Sequence, residues 1–338
     1  MKDKFQRIRM AQYGTKHGHA SGVLQVMVDS PDVTVVGVYE PDSKWRRFLV
    51  DSGEPPWSQV RWFDDKSEIL EDPDIVAISS EGVPEESLGH TEEIIAAGKH
   101  AFYDKPAGDD YPRFERLVAM ARERGLLIQL GYMFRKHDGF ERIAEWARSG
   151  FLGHVFYIRG QMSVSVTEDE AKDAPQSAGL FFDLGCHMID QVVWILGRPE
   201  KITSFLRHDA LGNPEYADNT LGIFEYDDSM AIVDIAGKGF GQLARRFEVN
   251  GTEGSVIMEP MEPANTLRLH LDEPNGEYPA GVSIIKLEAR PRYAASLEAF
   301  VKEVRGEKKP DRSLDHELLV QETFLRATGN IRDSNILT

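Results

Sequence analysis

The first 130 residues alternate short apolar runs with amphipathic stretches. The apolar runs predict strands at IRMAQY (8–13), VTVVGVYE (33–40), VRWF (60–63), DIVAISS (74–80), HAFYD (100–104) and LLIQLGY (126–132). The stretches between them, such as 85–98 and 111–125, have the apolar spacing of helices. This alternation predicts a parallel sheet with helices on both faces, a doubly wound Rossmann-type domain. Ligands of such sheets bind at the carboxyl ends of the strands.

The pattern changes after about residue 150. Strands are then predicted at HVFYIRGQMSVSV (154–166), LGIFEY (221–226), MAIVDIAG (230–237), RRFEVNG (245–251), SVIMEP (255–260) and LRLHLDE (267–273). Short turns with the sequences DDS and NGTEG separate several of them, which predicts an antiparallel sheet. One strongly apolar helix is predicted at about 178–197, and helical patterns at 293–306 and 315–329 close the chain.

We therefore expect an α/β protein in three parts. A dinucleotide-binding domain spans 1–130, and an α+β domain for substrate binding and oligomerisation, with an open, mainly antiparallel sheet, spans 131–310. A C-terminal helix at 311–338 packs back on the first domain. The length of 338 residues supports more than one core. An open sheet with one exposed face favours a homodimer or homotetramer.

Composition narrows the class of protein. The formal net charge of −17 argues against nucleic acid or an anionic membrane as a partner, since both require basic patches. The single cysteine, Cys186, excludes an internal disulfide framework and a cysteine-based metal site. The first residues, MKDKFQRIRM, contain no apolar signal core, and no run approaches membrane length. We therefore expect a cytoplasmic enzyme or binding protein.

A glycine-containing segment, AQYGTKHGHASG, follows the first predicted strand and precedes a helical pattern. Its glycines are Gly14, Gly18 and Gly22. A dinucleotide-binding turn binds phosphate through backbone N–H groups and a helix N-terminus, but its usual spacing is G-x-G-x-x-G. Lys16 stands at the second glycine position and His19 at the third. The placement favours an altered nucleotide site, and a plain strand-to-helix turn is the alternative.

Glu40 ends the second predicted strand, where an acidic residue accepts hydrogen bonds from the adenosine ribose. A 2′-phosphate would be repelled there, so Glu40 favours NAD over NADP, although Lys44, Arg46 and Arg47 follow closely. The residues that we expect to contact the cofactor are Gly14, Thr15, Lys16, His17, Gly18, His19, Glu40, Ser80, His90, Asp104 and Lys105.

Lys105 follows the fifth predicted strand and precedes Pro106. Proline restricts the residue before it to extended conformations, so this lysine is expected to lie at the edge of the sheet where ligands bind. A surface lysine in a loop is the alternative.

The predicted helix at 178–197 carries three acid–base groups on an otherwise apolar surface. At 100° per residue, Asp183, His187 and Asp190 fall within roughly 60° of one another. Burying charged groups without partners is costly, so the three side chains should converge on one enclosed polar cavity. A histidine oriented by a carboxylate can accept a proton near neutral pH. A satisfied core network is the alternative.

The same three residues could bind Zn²⁺, but Lys105 in the same cavity would disfavour a cation, so no metal site is predicted.

The sequence resembles the Gfo/Idh/MocA family of NAD(P)-dependent oxidoreductases over nearly its whole length. The family's Glu-Lys-Pro turn is present as Asp104-Lys105-Pro106, and its G-Y/F-x-x-R segment as GYMFR at 131–135. Its D-x-G-x-H-x-x-D helix is intact as DLGCHMID at 183–190, and NGTEGSVIME resembles its second-domain hairpin. The chain departs from the family at Asp104, where glutamate is usual, and at the two missing fingerprint glycines.

The resemblance implies roles for several residues. Lys105 would contact both the nicotinamide ribose and the substrate hydroxyl, Asp183 would orient the substrate, and His187 would relay or accept the hydroxyl proton. Tyr132 and Arg135 are expected to line the substrate pocket, together with Asp183 and His187, and the segment 164–179 to overhang it.

Three functions fit these residues. The first is a dehydrogenase or reductase that acts on a hydroxyl carbon of a sugar, polyol or related compound. The second is a lyase or glycosidase that oxidises its substrate transiently and returns the hydride. The third is a non-catalytic nucleotide-binding relative, which the altered glycine turn favours and the intact acid–base residues oppose.

Overall fold

The structure, a computed structural model, describes residues 7–173, 179–288 and 290–331, and it divides into two compact units. Unit 1 comprises Met1–Met133 and Arg290–Leu318, and unit 2 comprises Phe134–Ala289 and Leu319–Thr338. This division differs from the expected borders at residues 130 and 310. The segment after residue 290 joins unit 1 because its apolar side chains pack into the core of that unit, as Phe300 does against Phe102.

The sheet of unit 1 is parallel throughout. Its strands are β1 (Ile8–Tyr13), β2 (Val33–Tyr39), β3 (Trp62–Phe63), β4 (Ala77–Ser80), β5 (His100–Tyr103) and β6 (Ile128–Leu130). Their order is β3-β2-β1-β4-β5-β6, which is the Rossmann arrangement. The direction of winding reverses between β1 and β4, so a ligand crevice is expected outside the carboxyl ends of these two strands. The predicted α/β fold is confirmed.

Helices connect these strands and close the chain. Their ranges are α1 (Ala20–Asp29), α2 (Ser43–Ser52), α3 (Ser67–Leu70), α4 (Pro84–Ala96), α5 (Tyr111–Glu123), α6 (Asp138–Ser149), α7 (Glu168–Asp173), α8 (Cys186–Leu196), α9 (Ala294–Val304) and α10 (Leu314–Ala327). Helix α2 starts after Asp42, whose carboxylate accepts hydrogen bonds from the N–H groups of Lys44 and Trp45. Such a cap satisfies two of the N–H groups that a helix start leaves open. Among the described residues, no helix is long and apolar enough to cross a membrane.

Unit 2 contains an eight-stranded, mainly antiparallel sheet. Its strands are β7 (Val155–Gln161), β8 (Lys201–Arg207), β9 (Asn219–Glu225), β10 (Met230–Ala236), β11 (Arg246–Gly251), β12 (Gly254–Met258), β13 (Thr266–Leu271) and β14 (Gly281–Lys286). Their order is β14-β13-β12-β11-β7-β10-β9-β8, and only β7 and β10 run parallel. Sequence reasoning missed β8 and β14. Both are edge strands without a buried residue, and apolar side chains such as Phe205, Val282 and Ile284 are exposed there.

The apolar helix predicted at 178–197 is interrupted near its start. Residue 178 lies outside the described part of the chain, as do residues 174–177 of the segment expected to overhang the pocket. Phe181–Gly185 form a π-helical turn, and α8 begins directly after it. Because a π turn takes more residues than an α turn, the 100° spacing fails at Asp183. Asp183 is exposed, whereas His187 and Asp190 are buried, so the expectation of three groups in one enclosed cavity is wrong.

Helix α8 packs directly on the sheet at Gly160 of β7. A Cβ atom at this position would lie 2.9 Å from Cβ of Met188. Only glycine leaves room for this approach, which positions the helix that carries His187.

The C-terminal helix α10, predicted to pack on the first domain, is divided between the two units, with Leu314–Leu318 in unit 1 and Leu319–Ala327 in unit 2. Within unit 1, the Leu130 N–H donates to Glu317 Oε1 at 3.4 Å. Within unit 2, the ring of Phe324 lies 4.9 Å from that of Phe182. Residues 332–338 of the predicted C-terminal part lie outside the described residues.

Candidate active site

The turn after β1 lies at the point where the strand order of unit 1 reverses. Gly14 has a φ of +82°, and a Cβ atom there would lie 2.8 Å from the backbone nitrogen of Gly82, which follows β4. Both features require glycine. The His17 N–H donates to the Glu81 carbonyl at 3.1 Å and ties the turn to the same segment. The first glycine of the fingerprint is therefore present for a structural reason.

The side chain of Lys16, at the second glycine position, forms two ion pairs within unit 1. Its Nζ lies 3.1 Å from Glu86 Oε1 at the start of α4 and 3.2 Å from Asp42 Oδ2 before α2. Burial alone would lower the pKa of Lys16, but the hydrogen bonds to Glu86 and Asp42 raise it. The ammonium charge is thus partly neutralised by two acids that sequence reasoning did not select.

Glu40, after β2, is buried and faces the turn. Its Oε2 accepts a hydrogen bond from Thr15 Oγ1 at 2.7 Å, and its Oε1 accepts one from the Asp42 N–H at 2.9 Å. A carboxylate has about four lone-pair sites, so these bonds leave capacity for further donors. Thr15 and Glu40 therefore lie together, and contact with the ribose stays a prediction.

Two histidines of the turn converge on Asp104, which follows β5. His17 Nδ1 is in direct contact with Asp104 Oδ2, and His19 Nδ1 lies 3.2 Å from both carboxylate oxygens. Asp104 is buried, and the two imidazoles are partly exposed. Burial would raise the pKa of Asp104, but His17 and His19 hold it well below its usual value. The third glycine position thus carries a side chain that contacts the Asp-Lys-Pro turn.

Glu81 is a fourth member of this cluster that sequence reasoning missed. It directly follows β4, is fully buried, and accepts a hydrogen bond from Ser79 Oγ at 2.6 Å. Burial raises the pKa of Glu81 well above its usual value, and the negative charge of Asp104 raises it further. The predicted strands contained the information needed to find this contact. β4 and β5 are neighbours in a parallel sheet, so Glu81 and Asp104, at their carboxyl ends, lie at the same edge.

Lys105 is buried at the same edge, with 2 % of its surface exposed. Its backbone N–H donates to Asp104 Oδ1 at 2.7 Å. Burial lowers the pKa of His19, and the charge of Lys105 contributes in the same direction. The expected position of Lys105 at the strand end is observed.

Ser80 and His90 are engaged inside unit 1. The Ser80 hydroxyl accepts a hydrogen bond from Thr91 Oγ1 at 2.9 Å, and the ring of His90 stacks on that of Tyr13 at 4.3 Å. Burial lowers the pKa of His90. Gly18 lies in open space, with no atom within 4 Å of an added Cβ. Cofactor contacts of these three residues stay predictions.

In unit 2, His187 and Asp190 lie on α8 in a buried environment. Asp190 is completely buried, and its Oδ1 accepts hydrogen bonds from Arg135 Nη2 at 2.7 Å and Nε at 3.0 Å. Gln191 Nε2 donates to the other carboxylate oxygen at 3.0 Å. His187 contacts the ring of Phe134 edge-on, with centroids 5.5 Å apart. Arg135, expected to bind substrate, is thus engaged in an ion pair that anchors α8.

The remaining predicted residues are divided between the units. Tyr132 is buried in unit 1 after β6, and Asp183 is exposed in unit 2. Lys105 and His187 also belong to different units, so their meeting at one substrate stays a prediction.

Comparison with known proteins decides the family. Residues 10–132 match the oxidoreductase family with an NAD-binding Rossmann fold, and residues 140–257 match the Gfo/Idh/MocA C-terminal domain. The chain belongs to the Gfo/Idh/MocA family. The resemblance drawn from the lysine turn and the DLGCHMID helix is therefore confirmed.

Several relatives of this Gfo/Idh/MocA protein are known. It is 25 % identical to the uncharacterized oxidoreductase YhhX of Escherichia coli over 294 residues, which cover 84 % of this chain and 81 % of the relative. It is 29 % identical to the NAD⁺-dependent scyllo-inositol 2-dehydrogenase of Bacillus subtilis, with 59 % of each chain covered. The 3-ketoreductase KijD10 of Actinomadura kijaniata, solved with NADP and TDP-benzene, has the same fold, with a TM-score of 0.78, 18 % identity and coverage of 97 % and 99 %.

Family membership settles the class of the protein. This Gfo/Idh/MocA member is an NAD(P)-dependent oxidoreductase, as predicted. The non-catalytic alternative is thereby overturned.

Proposed function

We propose that this Gfo/Idh/MocA member transfers a hydride between a nicotinamide cofactor and a hydroxyl-bearing carbon of a sugar, polyol or related compound. The observation that carries the proposal is the burial of Lys105 at the carboxyl end of β5, beside the turn after β1. The ligands of a Rossmann sheet bind at this edge, so the position of the Lys105 ammonium supports contact with a polar ligand.

The residues of unit 1 fit a dinucleotide. The strand order provides a crevice at β1 and β4, and Gly14 keeps the turn against Gly82 without a side chain between them. Glu40 would accept hydrogen bonds from the adenosine ribose, which favours NAD, and Lys16, His17 and His19 would face the phosphates. When bound, the cofactor supplies hydride transfer at its nicotinamide ring.

Proton transfer is assigned to residues of this chain. In the direction of oxidation, the substrate carbon loses a hydride and its hydroxyl loses a proton, which leaves a carbonyl. His187 would accept that proton, Lys105 would hydrogen-bond the same oxygen, and Asp183 would orient a neighbouring hydroxyl. In the direction of reduction, the same groups return the proton. The buried Arg135–Asp190 pair would hold α8, and with it His187, in place.

The substrate class is supported by the names of relatives. They include the scyllo-inositol dehydrogenase, a myo-inositol dehydrogenase of Streptomyces leeuwenhoekii at 30 % identity over 50 % of this chain, and a 1,5-anhydro-D-fructose reductase of Ensifer adhaerens at 24 % over 72 %. Each acts on a ring with several hydroxyl groups or on its ketone. We infer the same chemical class here.

The proposal is tested with purified protein, NAD or NADP, and a panel of inositols, aldoses and anhydro sugars. We expect NADH formation at 340 nm with at least one substrate. His187→Gln should lower kcat about 10²–10⁴-fold, the usual contribution of a general base, while cofactor affinity changes little. His154→Gln is the matched control, because this histidine is half-exposed on unit 2 and its imidazole bonds Asp228.

Three outcomes would contradict parts of the proposal. Cofactor binding without any absorbance change across the panel would refute net dehydrogenation. Substrate turnover with substoichiometric NAD would instead support transient oxidation. Unchanged kcat in both histidine variants would remove His187 from the proton transfer.

An oligomer through unit 2 is also part of the proposal. Phe156, Phe205 and Met230 lie on strands of the large sheet with 47 %, 50 % and 39 % of their surfaces exposed. Exposed apolar side chains on a sheet favour association. Light scattering of the purified chain measures the assembly, and a monomer would contradict this part.

A further inference from the structure

We propose that His17, His19 and Asp104 of unit 1, with Glu81 beside them, form a binding site for a divalent transition-metal ion of the zinc class. The sequence predicts no metal site, and the residues weighed there were Asp183, His187 and Asp190 of a different helix. Two imidazoles and carboxylate oxygens are ligands that zinc and its neighbours in the first transition row accept.

The geometry of the donor atoms supports a single ion. One atom each from His17, His19 and Asp104 lies within 4.8 Å of the others. Four ligands at about 2.1 Å from an ion lie roughly 3.4 Å apart in a tetrahedron. The separation of His19 Nδ1 from Asp104 Oδ2 is 3.2 Å, close to that value. His17 contacts the same oxygen directly, so this imidazole must move outward, to the ligand spacing given above, before an ion can bind.

The donor atoms are oriented before any ion binds. The Lys105 N–H fixes Asp104 Oδ1 and leaves Oδ2 toward the two imidazoles. The His17 N–H is anchored on the Glu81 carbonyl, and the His19 N–H points at His17 Nδ1 at 3.2 Å. The single in-plane lone pair of His17 Nδ1 therefore faces both a donor and a carboxylate. A cation beside Oδ2 would replace the direct contact between the two side chains, and His17 Nδ1 would exchange the His19 N–H for the ion.

Charge supplies an independent reason for a cation. Glu81 and Asp104 are buried side by side, with 0 % and 3 % of their surfaces exposed. Glu81 Oε1 accepts a hydrogen bond from Ser79 Oγ, and the Glu81 carboxyl group also hydrogen-bonds Asp104. Adjacent buried carboxylates require a shared proton or a cation. In the absence of an ion, Glu81 holds a proton beside the ionised Asp104, and a divalent ion at Asp104 would displace that proton.

The site would also compensate for the altered glycine turn. His17 and His19 use their N–H groups inside the turn, so fewer amides remain for a phosphate. A bound ion would bring positive charge to the place where the pyrophosphate is expected. This consequence, unlike the site itself, rests on the proposed cofactor binding.

The test is metal binding by the full chain after treatment with a chelator. Calorimetric titration should give one Zn²⁺ per chain, and Co²⁺ should develop the visible absorption of a tetrahedral nitrogen–oxygen site. His19→Gln and Asp104→Asn should abolish this absorption. Glu81→Gln should weaken binding about 10–100-fold, as loss of a neighbour that orients a ligand does. His90→Gln is the control, because it removes a partly buried histidine of the same unit that lies outside the cluster.

No binding by the wild-type chain would overturn the proposal and assign the cluster to a shared proton. Equal cobalt spectra in the wild type, His19→Gln and Asp104→Asn would also overturn it, and the wild-type titration remains decisive if a variant fails to fold. NADH fluorescence with and without Zn²⁺ tests the link to the cofactor, and unchanged affinity would refute that link. The metal titrations contain no cofactor or substrate, so their failure is distinct from failure of the redox proposal.

Discussion

Replacement of Arg135 by methionine should leave a buried carboxylate in unit 2 without its counter-ion. Asp190 is completely buried, and only 4 % of the Arg135 surface is exposed. The guanidinium donates to Asp190 Oδ1 from two nitrogens, at 2.7 and 3.0 Å. Methionine retains much of the apolar volume of arginine, so the main loss is electrostatic.

The structure allows the magnitude to be worked out. Removal of one partner of a buried ion pair costs about 3–5 kcal/mol, because the remaining charge stays desolvated. For a domain of this size, each kcal/mol shifts Tm by about 2–4 °C, so Arg135→Met should melt about 6–20 °C below the wild type. The double variant R135M/D190L removes both charges, and we expect it to recover to within about 1–2 kcal/mol of the wild type.

Urea unfolding followed by tryptophan fluorescence measures these differences. Trp146 and Trp194 lie in unit 2 and report on the unit that carries the ion pair. KM and kcat of the double variant give a second readout. If Arg135 only anchors α8, the double variant should return to the stability and the KM of the wild type. If Arg135 also contacts the substrate, the KM of the double variant should stay above that of the wild type.

Two results would refute the reasoning about the ion pair. A loss below about 1 kcal/mol in Arg135→Met would show that Asp190 is not desolvated when its partner is absent. A double variant as unstable as the sum of its single variants would show that the two charges do not interact.

Two further predictions concern packing and pH. Burial lowers the pKa of His100, whose Nδ1 accepts a hydrogen bond from the Leu127 N–H at 3.0 Å. The neutral imidazole therefore stabilises the folded state fully above pH 6.5, the ordinary pKa of histidine. This stabilisation is lost as the pH falls toward the lowered pKa of the folded state. His100→Asn keeps an acceptor that does not titrate and should flatten the loss of unfolding free energy between pH 7 and 5; an unchanged slope contradicts this. Gly160→Ala should cost about 1–3 kcal/mol, because the added Cβ would lie 2.9 Å from Met188. Gly212→Ala, with nothing within 4 Å of the new atom, should melt like the wild type, and equal Tm values for both variants would refute the packing argument.

Local patterns were sufficient for unit 1 because its strands are buried on both faces. β1 spans Ile8–Tyr13, the range predicted from IRMAQY, since an apolar run bounded by polar residues admits one assignment. The edge strands β8 and β14 were not predicted, and neither contains a buried residue. Burial therefore separates the six strands of unit 2 that were predicted, each of which contains buried residues, from the two that were not.

The candidate site shows a similar division. Sequence spacing placed Lys105 and Asp104 at a strand end, and the structure puts them there. It misplaced Asp183, because helical periodicity assumes a uniform turn and the π-helical segment breaks that uniformity. It also missed Glu81, whose partner Asp104 is 23 positions away along the chain and is brought beside it by the pairing of β4 and β5.

The sequence by itself determined the family, the two kinds of sheet and the lysine and histidine that carry the proposed chemistry, because these follow from local periodicity and short motifs. Only the tertiary structure decided which charges meet. The contacts of Lys16 with Asp42 and Glu86, of Arg135 with Asp190, and of His17 and His19 with Asp104 join residues remote in sequence. Such contacts depend on strand order and on how closely helices pack, and one-dimensional spacing contains neither.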